Sequence, residues 1–153
     1  MLNNLLNTIE SLEERDLSVP FTSNDINESG MIIIKSYELL GSVGLNISGL
    51  FYPVLEDLNI NVPMLVVDGD FEELSTLAKQ FIIAHELGHC KYHLNKAEIE
   101  KAREINHEFE ADSYAVEFIG KENVILALKE IKEMMDWAPE ECLAEIDNRI
   151  NNL

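Results

Sequence analysis

Basic side chains, cysteines and long apolar runs are all scarce in this 153-residue chain. Its 11 Lys and Arg residues stand against 29 Asp and Glu residues, and the formal net charge of −18 disfavours direct binding to nucleic acid or to anionic membrane surfaces. The longest purely apolar runs are far too short to cross a bilayer, and the first residues lack the basic and apolar stretches of a secretory signal. We therefore expect a cytoplasmic protein that binds neither nucleic acid nor membranes. The acidic charge either steers a basic protein or peptide substrate to the site or serves only to keep the protein soluble.

The rest of the composition is that of a folded protein. Hydrophobic residues make up 46% of the chain and charged residues 26%, and no internal repeat or low-complexity segment occurs in it. The two cysteines, Cys90 and Cys142, are expected to be free thiols in a reducing compartment, with Cys90 in the core rather than on a metal. We therefore expect a single domain over residues 1–153.

The N-terminal half has the pattern of a helix followed by short strands. Leucine and isoleucine recur at helical spacing from Leu2 to Leu12 and predict a helix over about residues 2–15. Between residues 21 and 69, Asn, Ser, Gly and Pro separate short apolar runs, which predicts a small antiparallel or mixed sheet. A helix over residues 31–40 is an alternative to the first strand. The strands are expected at residues 31–37, 45–52 and 62–67.

Helical patterns dominate from residue 71 onward. The longest helix is predicted over residues 71–94, opened by Asp70 and Glu73 in a capping-box arrangement and apolar around most of its circumference. Gly120 is expected to end a later helix in a left-handed conformation. The patterns together predict an α+β fold with a small N-terminal sheet, a buried central helix and C-terminal helices. The further helices are predicted over residues 97–105, 107–119, 123–135 and 140–150.

Residues 85–89 spell His-Glu-x-x-His within the long predicted helix. Histidines four residues apart lie on one face of a helix, so His85 and His89 can bind one metal ion while Glu86 projects beside the ion's open position. Histidines on a buried helix also need polar partners, which a metal supplies. The motif predicts hydrolysis by a zinc-bound water, with Glu86 as the general base.

A catalytic zinc ion usually takes three protein ligands, so the two histidines need a third. Glu108 is the best candidate because Asp112 shares its helical face and can hydrogen-bond the distal nitrogen of a ligand histidine. His107 is a second candidate without such a partner. His93 lies about 12 Å along the helix axis from His85, too far for one ion to bridge, and is expected to have a structural role.

These residues resemble the gluzincin metallopeptidases, in which His-Glu-x-x-His on one helix is followed by Glu-x-x-x-Asp on the next. Residues 81–89, preceded by the predicted strand at residues 62–67, are similar to ImmA/IrrE-type peptidases of phages and mobile elements. Residues 108–120 and 147–153 are similar to the catalytic core of the HtpX and prenyl-protease group, although that group is membrane-embedded. The resemblance covers roughly residues 62–153.

The resemblance implies a minimal zincin-like metallopeptidase domain with one Zn²⁺ ion bound by His85, His89 and Glu108. It also implies an endopeptidase that acts on a protein or peptide, for instance a phage or mobile-element repressor. An extended substrate pairs with an edge strand in related enzymes, and residues 62–67 are the candidate unless they form an interior strand. The expected parts are an N-terminal helix and sheet, an active-site helix, and a glutamate helix with C-terminal helices, over residues 1–70, 71–94 and 95–153.

One departure from the family pattern leaves alternatives open. No histidine follows His107, so a downstream oxyanion-binding histidine is absent, and His93, Tyr92 and Tyr114 are the remaining candidates for transition-state or structural support. A catalytically inactive zinc-binding interaction module is one alternative function. Another is a latent peptidase whose cleft is blocked by residues 136–153.

Overall fold

The computed structural model describes residues 2–41, 48–92 and 105–153, which form a small sheet and a set of helices. This confirms the predicted α+β class. The described residues divide into two compact units, one of residues 7–72 and the other of residues 1–6 with 73–153. The single domain stays a prediction. The described helices are α1 (Leu2–Glu10), α2 (Tyr37–Gly41), α3 (Gly69–Glu73), α4 (Thr76–Tyr92), α5 (Ile105–Ile119), α6 (Lys121–Met134) and α7 (Glu140–Asn152).

The sheet has three strands, β1 (Ile32–Lys35), β2 (Ser48–Phe51) and β3 (Met64–Val67), in the order β1-β3-β2. Strand β1 pairs with β3 in parallel and β2 pairs with β3 antiparallel, so the predicted mixed sheet is confirmed. Strands β1 and β3 are buried along their whole length, which suits a sequence that is apolar throughout β3 and apolar in β1 up to Lys35. Of the two roles considered for residues 62–67, the structure shows the interior strand: β3 is hydrogen-bonded on both sides and is not the edge strand that would pair with a substrate.

A compact apolar cluster supports the sheet within the unit of residues 7–72. The side chains of alternate residues on β1 and β3 pack with Leu55 and Val62 to form it. One salt bridge in this unit joins Lys35, which is 6% exposed, to Glu72. The buried members of the cluster are Ile32, Ile34, Leu55, Val62, Met64 and Val66.

One predicted boundary in this part of the chain is wrong, and one pair of alternatives turns out to be partly true on both sides. Helix α1 ends at Glu10, five residues early, because the backbone becomes extended and the Arg15 N–H donates to the Lys35 carbonyl at 2.8 Å. Residues 31–40 contain both alternatives in succession, since β1 ends at Lys35 and α2 begins at Tyr37.

The predicted helix over residues 71–94 is also wrong, because it is interrupted before the motif. Helix α3 ends at Glu73 and α4 begins at Thr76, and the hydroxyl of Ser75 accepts the Ala78 N–H at 3.1 Å as an N-cap. Glu130 on α6 accepts hydrogen bonds from both the amide and the hydroxyl of Ser75, at 2.8 and 2.5 Å. Asp68, rather than Asp70, caps α3 by accepting the Asp70 and Phe71 N–H groups. The cap of the motif helix is thus Ser75, five residues after the predicted cap Asp70.

The C-terminal helices follow the predicted pattern closely. Helices α5, α6 and α7 overlap the segments predicted over residues 107–119, 123–135 and 140–150. Gly120 separates α5 from α6 with φ 86° and ψ 153°, a positive φ as predicted but outside the left-handed helical region. Residues 97–104 of one further predicted helix lie outside the described residues. Within the described ranges, no helix combines the length and the apolar character needed to cross a membrane.

Candidate metal centre

Three donor side chains converge between α4 and α5. The Nε2 atoms of His85 and His89 lie 3.0 Å apart, one turn from each other on α4. The Glu108 carboxylate from the first turn of α5 lies 3.2 Å from His85 Nε2 through Oε2 and 3.1 Å from His89 Nε2 through Oε1. One ligand atom from each residue lies within 4.8 Å of the others, so a single metal ion can reach all three. The predicted convergence of these residues is confirmed.

Gly88 allows the two helices to approach closely enough for Glu108 to reach the histidines. A Cβ atom at Gly88 would lie only 3.0 Å from the Ala111 Cα and 3.0 Å from the Tyr114 Cβ. Ala111 itself is completely buried. Small residues on both facing surfaces therefore set the spacing between α4 and α5, and with it the position of the third donor.

Asp112 orients the first histidine. Its Oδ1 lies 2.8 Å from His85 Nδ1, and the Asp112 side chain is 1% exposed. An ionised carboxylate only accepts hydrogen bonds, so Nδ1 carries the proton and donates it to Asp112. This arrangement turns His85 Nε2 towards Glu108, as expected for a carboxylate behind a metal-binding histidine.

Arg149 on α7 completes the cluster, and sequence reasoning gave it no role. It donates to Asp112 from Nε and from Nη2, each at 2.8 Å, and its Nη1 lies 3.3 Å from Glu108 Oε2. The side chain is 14% exposed. One feature of the sequence could have indicated a role for Arg149. It lies three residues after the buried Ile146, and so it is a basic residue on the apolar face of an acidic helix.

The electrostatics of the cluster favour a positive charge between His85 and Glu108. Burial alone would lower the pKa of His85, but the charge of Glu108 and hydrogen bonds to Asp112 and Glu108 raise this pKa to about 10. Burial alone would raise the pKa of Glu108, yet the charge and hydrogen bond of His85, the hydrogen bond of His89 and the charge of Arg149 hold this pKa far below its usual range. The pKa of Asp112 is lowered against burial, chiefly by its hydrogen bond from Arg149. Either a proton or a metal ion can supply the positive charge at this position.

Two further groups lie on α4 next to the donors. Glu86 follows His85 directly, and its side chain is buried, with 8% of the residue exposed. Burial, followed by the charge of Glu86, raises the pKa of the Cys90 thiol to about 12. A thiol with that pKa stays protonated near neutral pH, so it is unsuited to bind metal as a thiolate.

The remaining candidates have other surroundings. Tyr92 and Tyr114 pack edge to face with ring centroids 5.9 Å apart, and the Lys91 Nζ lies over both rings at 5.2 and 4.9 Å. The two rings pack against each other where the C-terminal end of α4 meets α5. His107 precedes Glu108 on α5 but is not among the three convergent donors of the described residues. His93 lies outside the described residues.

Comparison with known proteins gives one family match. A family model described as peptidase U49 matches residues 59–139, which are 81 of the 153 residues. The matched segment contains the His-Glu-x-x-His motif, Glu108 and Asp112, and it ends before α7 and Arg149. Neither the curated proteins nor the solved structures contain a significant match.

Proposed function

The chain belongs to the peptidase U49 family, and we propose that it is a zinc-dependent metalloendopeptidase of the gluzincin type. The observation that carries this proposal is the convergence of the His85, His89 and Glu108 donor atoms within 4.8 Å. Family membership makes the chain a peptidase. The metal and the assignment of residues to roles are our proposal.

The donor set fits zinc. Two imidazole nitrogens and one carboxylate are the protein ligands of a well-known class of catalytic zinc sites, in which the fourth position is left for water or substrate. The depressed pKa of Glu108 keeps its carboxylate ionised, as metal binding requires. A zinc ion would replace the proton that the raised pKa of His85 holds on Nε2, while Nδ1 keeps its proton and donates to Asp112. We propose one Zn²⁺ ion bound by His85 Nε2, His89 Nε2 and the Glu108 carboxylate.

A zinc ion held by His85, His89 and Glu108 would supply Lewis acidity, which lowers the pKa of a coordinated water from about 15.7 to about 7 and polarises a peptide carbonyl. Glu86 acts as the general base, takes a proton from the attacking water and returns it to the leaving amine. Asp112 holds the His85 ring in its ligand orientation throughout. The buried surroundings of Glu86 keep bulk water away from this proton transfer.

The substrate is proposed from charge and from the resemblance to ImmA/IrrE-type peptidases. A formal net charge of −18 produces a field that attracts basic proteins and repels nucleic acid. We propose a basic regulatory protein, such as a phage or mobile-element repressor, as the substrate class. If electrostatic attraction contributes, cleavage of a basic peptide slows as the ionic strength rises.

The test combines metal analysis with a peptide-library cleavage assay on the wild type and on Glu86→Gln. We expect wild-type cleavage with one bound zinc, and a fall in turnover of about 10² to 10⁴-fold in Glu86→Gln with the zinc retained. Glu117→Gln is the matched control, because it makes the same chemical change at an exposed position of α5. We expect the control to keep wild-type turnover.

The outcomes separate the alternatives. Unchanged turnover in Glu86→Gln would remove Glu86 from the mechanism. Stoichiometric zinc with no cleavage by the wild type would make the protein a zinc-stabilised interaction module. Cleavage that persists after complete removal of metal by a chelator would rule out the metallopeptidase.

A further inference from the structure

Arg149 contacts both carboxylates of the site through three different nitrogen atoms. Its Nε and Nη2 bind the two oxygens of Asp112, and its Nη1 faces Glu108 Oε2. We propose that Arg149 is a positioning residue for the metal centre, which orients His85 through Asp112 and holds the Glu108 carboxylate beside both histidines. This inference rests on the proposed metal site and assigns α7 a part in forming it.

The geometry calls for arginine rather than for a positive charge alone. A planar guanidinium binds a carboxylate through two parallel hydrogen bonds, and both contacts to Asp112 are 2.8 Å long. A lysine ammonium on a flexible chain is a single point charge and cannot reproduce these contacts together with the one to Glu108. The rotation of the Asp112 carboxylate is therefore set by Arg149.

That rotation determines which nitrogen of His85 is free to bind metal. Asp112 Oδ1 receives hydrogen bonds from both Arg149 Nη2 and His85 Nδ1. With Nδ1 donating, Nε2 is the nitrogen directed at Glu108 and His89. An Asp112 carboxylate that is free to turn loses this control of the His85 ring and its tautomer.

The direction in which zinc affinity changes when Arg149 is replaced distinguishes a positioning role from an effect of its charge alone. Arg149 is a cation next to a site that binds a cation, so its charge alone opposes metal binding. If charge were its main effect, Arg149→Met would bind zinc more tightly than the wild type. If positioning is its main effect, the same variant binds zinc more weakly, by about 10- to 100-fold as for other residues that support metal ligands.

The measurement is zinc affinity by competition with a chromophoric chelator, together with the visible absorption spectrum of the Co²⁺-substituted protein. We expect weaker zinc binding and an altered Co²⁺ spectrum in both Arg149→Met and Arg149→Lys. Lys132→Met is the matched control, because Lys132 joins the same helix α7 to α6 through surface hydrogen bonds to Asp147 of 2.8 and 3.0 Å. We expect wild-type affinity and spectrum in the control.

A double-mutant cycle tests whether Arg149 acts through Asp112. In an Asp112→Asn background, we expect Arg149→Met to cost much less zinc affinity than it does in the wild-type background. If Arg149→Met lowers zinc affinity by the same factor in both backgrounds, Arg149 does not act through Asp112, and that part of the proposal is overturned. If Arg149→Met does not fold, Arg149→Lys supports the same cycle because it retains the charge in the buried cluster.

Failure of this inference is distinguishable from failure of the proposed function. Wild-type protein that binds zinc, with Arg149→Met or Arg149→Lys binding it equally well or more tightly, overturns only the role of Arg149. Wild-type protein that binds neither zinc nor cobalt overturns the metal centre and the inference together. None of these readouts depends on finding a substrate.

Discussion

Gly88→Ala perturbs the spacing between the two helices that carry the donors. The added Cβ would lie 3.0 Å from the Ala111 Cα, whereas ordinary contacts begin at 3.4 Å. Because the nearest atom belongs to backbone, a rotamer change cannot relieve the contact, and α5 has to move by about 0.4 Å. Zinc sites keep ligand distances within about 0.2 Å, so this movement disturbs the position of Glu108.

Two effects on stability oppose each other in this variant. Alanine gains about 1 kcal/mol over glycine in a helix interior. Overpacking at a tight helix contact costs about 1 to 3 kcal/mol. With the overpacking cost at the middle of its range, the free energy of unfolding falls by about 1 kcal/mol in total. This loss lowers the melting temperature of a protein of this size by about 2 to 4 °C. We expect zinc affinity to fall by about tenfold, as when residues that support metal ligands are changed.

The assay measures thermal unfolding in the presence of a chelator and, separately, zinc affinity by competition. Gly69→Ala is the control, since its added Cβ would meet only the ring of Tyr37, 3.2 Å from Cε1, and this side chain is exposed and can turn aside. We expect wild-type zinc affinity and no loss of stability in the control. A Gly88→Ala protein that is more stable than the wild type and binds zinc equally well would refute the close-approach argument.

Two further predictions concern the charges of the site and the C-terminal helix. With a chelator present, the free energy of unfolding should fall in acid. The depressed pKa values of Glu108 and Asp112 stabilise the fold fully above the ordinary values of 4.5 and 3.8, and this stabilisation is lost progressively as the pH falls below them. The free energy of unfolding should also fall as pH rises from 6.5 to about 10, because the raised pKa of His85 stabilises the fold only while the ring is protonated. Urea unfolding across this pH range measures both slopes, and an alkaline slope that persists in His85→Gln would contradict the assignment. Deletion of residues 136–153 should lower the affinity for zinc and the cooperativity of the unfolding transition, because it removes Arg149. A truncated protein with increased peptidase activity would instead support the latent peptidase.

The helices that carry the site were largely predictable because their signals are local. His85 and His89 share a helix face by spacing alone, and Glu108 and Asp112 do the same on the next helix. The interruption before α4 was missed, because it depends on the hydrogen bonds of Ser75 to Glu130, 55 residues away. The periodic pattern of apolar residues continues across that interruption, so it gives no indication that the helix is broken there.

The candidate donors could be predicted from the amino-acid sequence alone: two histidines one turn apart, a glutamate between them, and a downstream carboxylate pair. Each of these facts follows from the helical repeat and from the chemistry of the side chains. Tertiary structure alone decided that Arg149 joins the carboxylates and that β3 is interior to its sheet. The reason is physical: helix periodicity acts over a few residues, whereas strand order and contacts between distant helices depend on packing that no local pattern encodes.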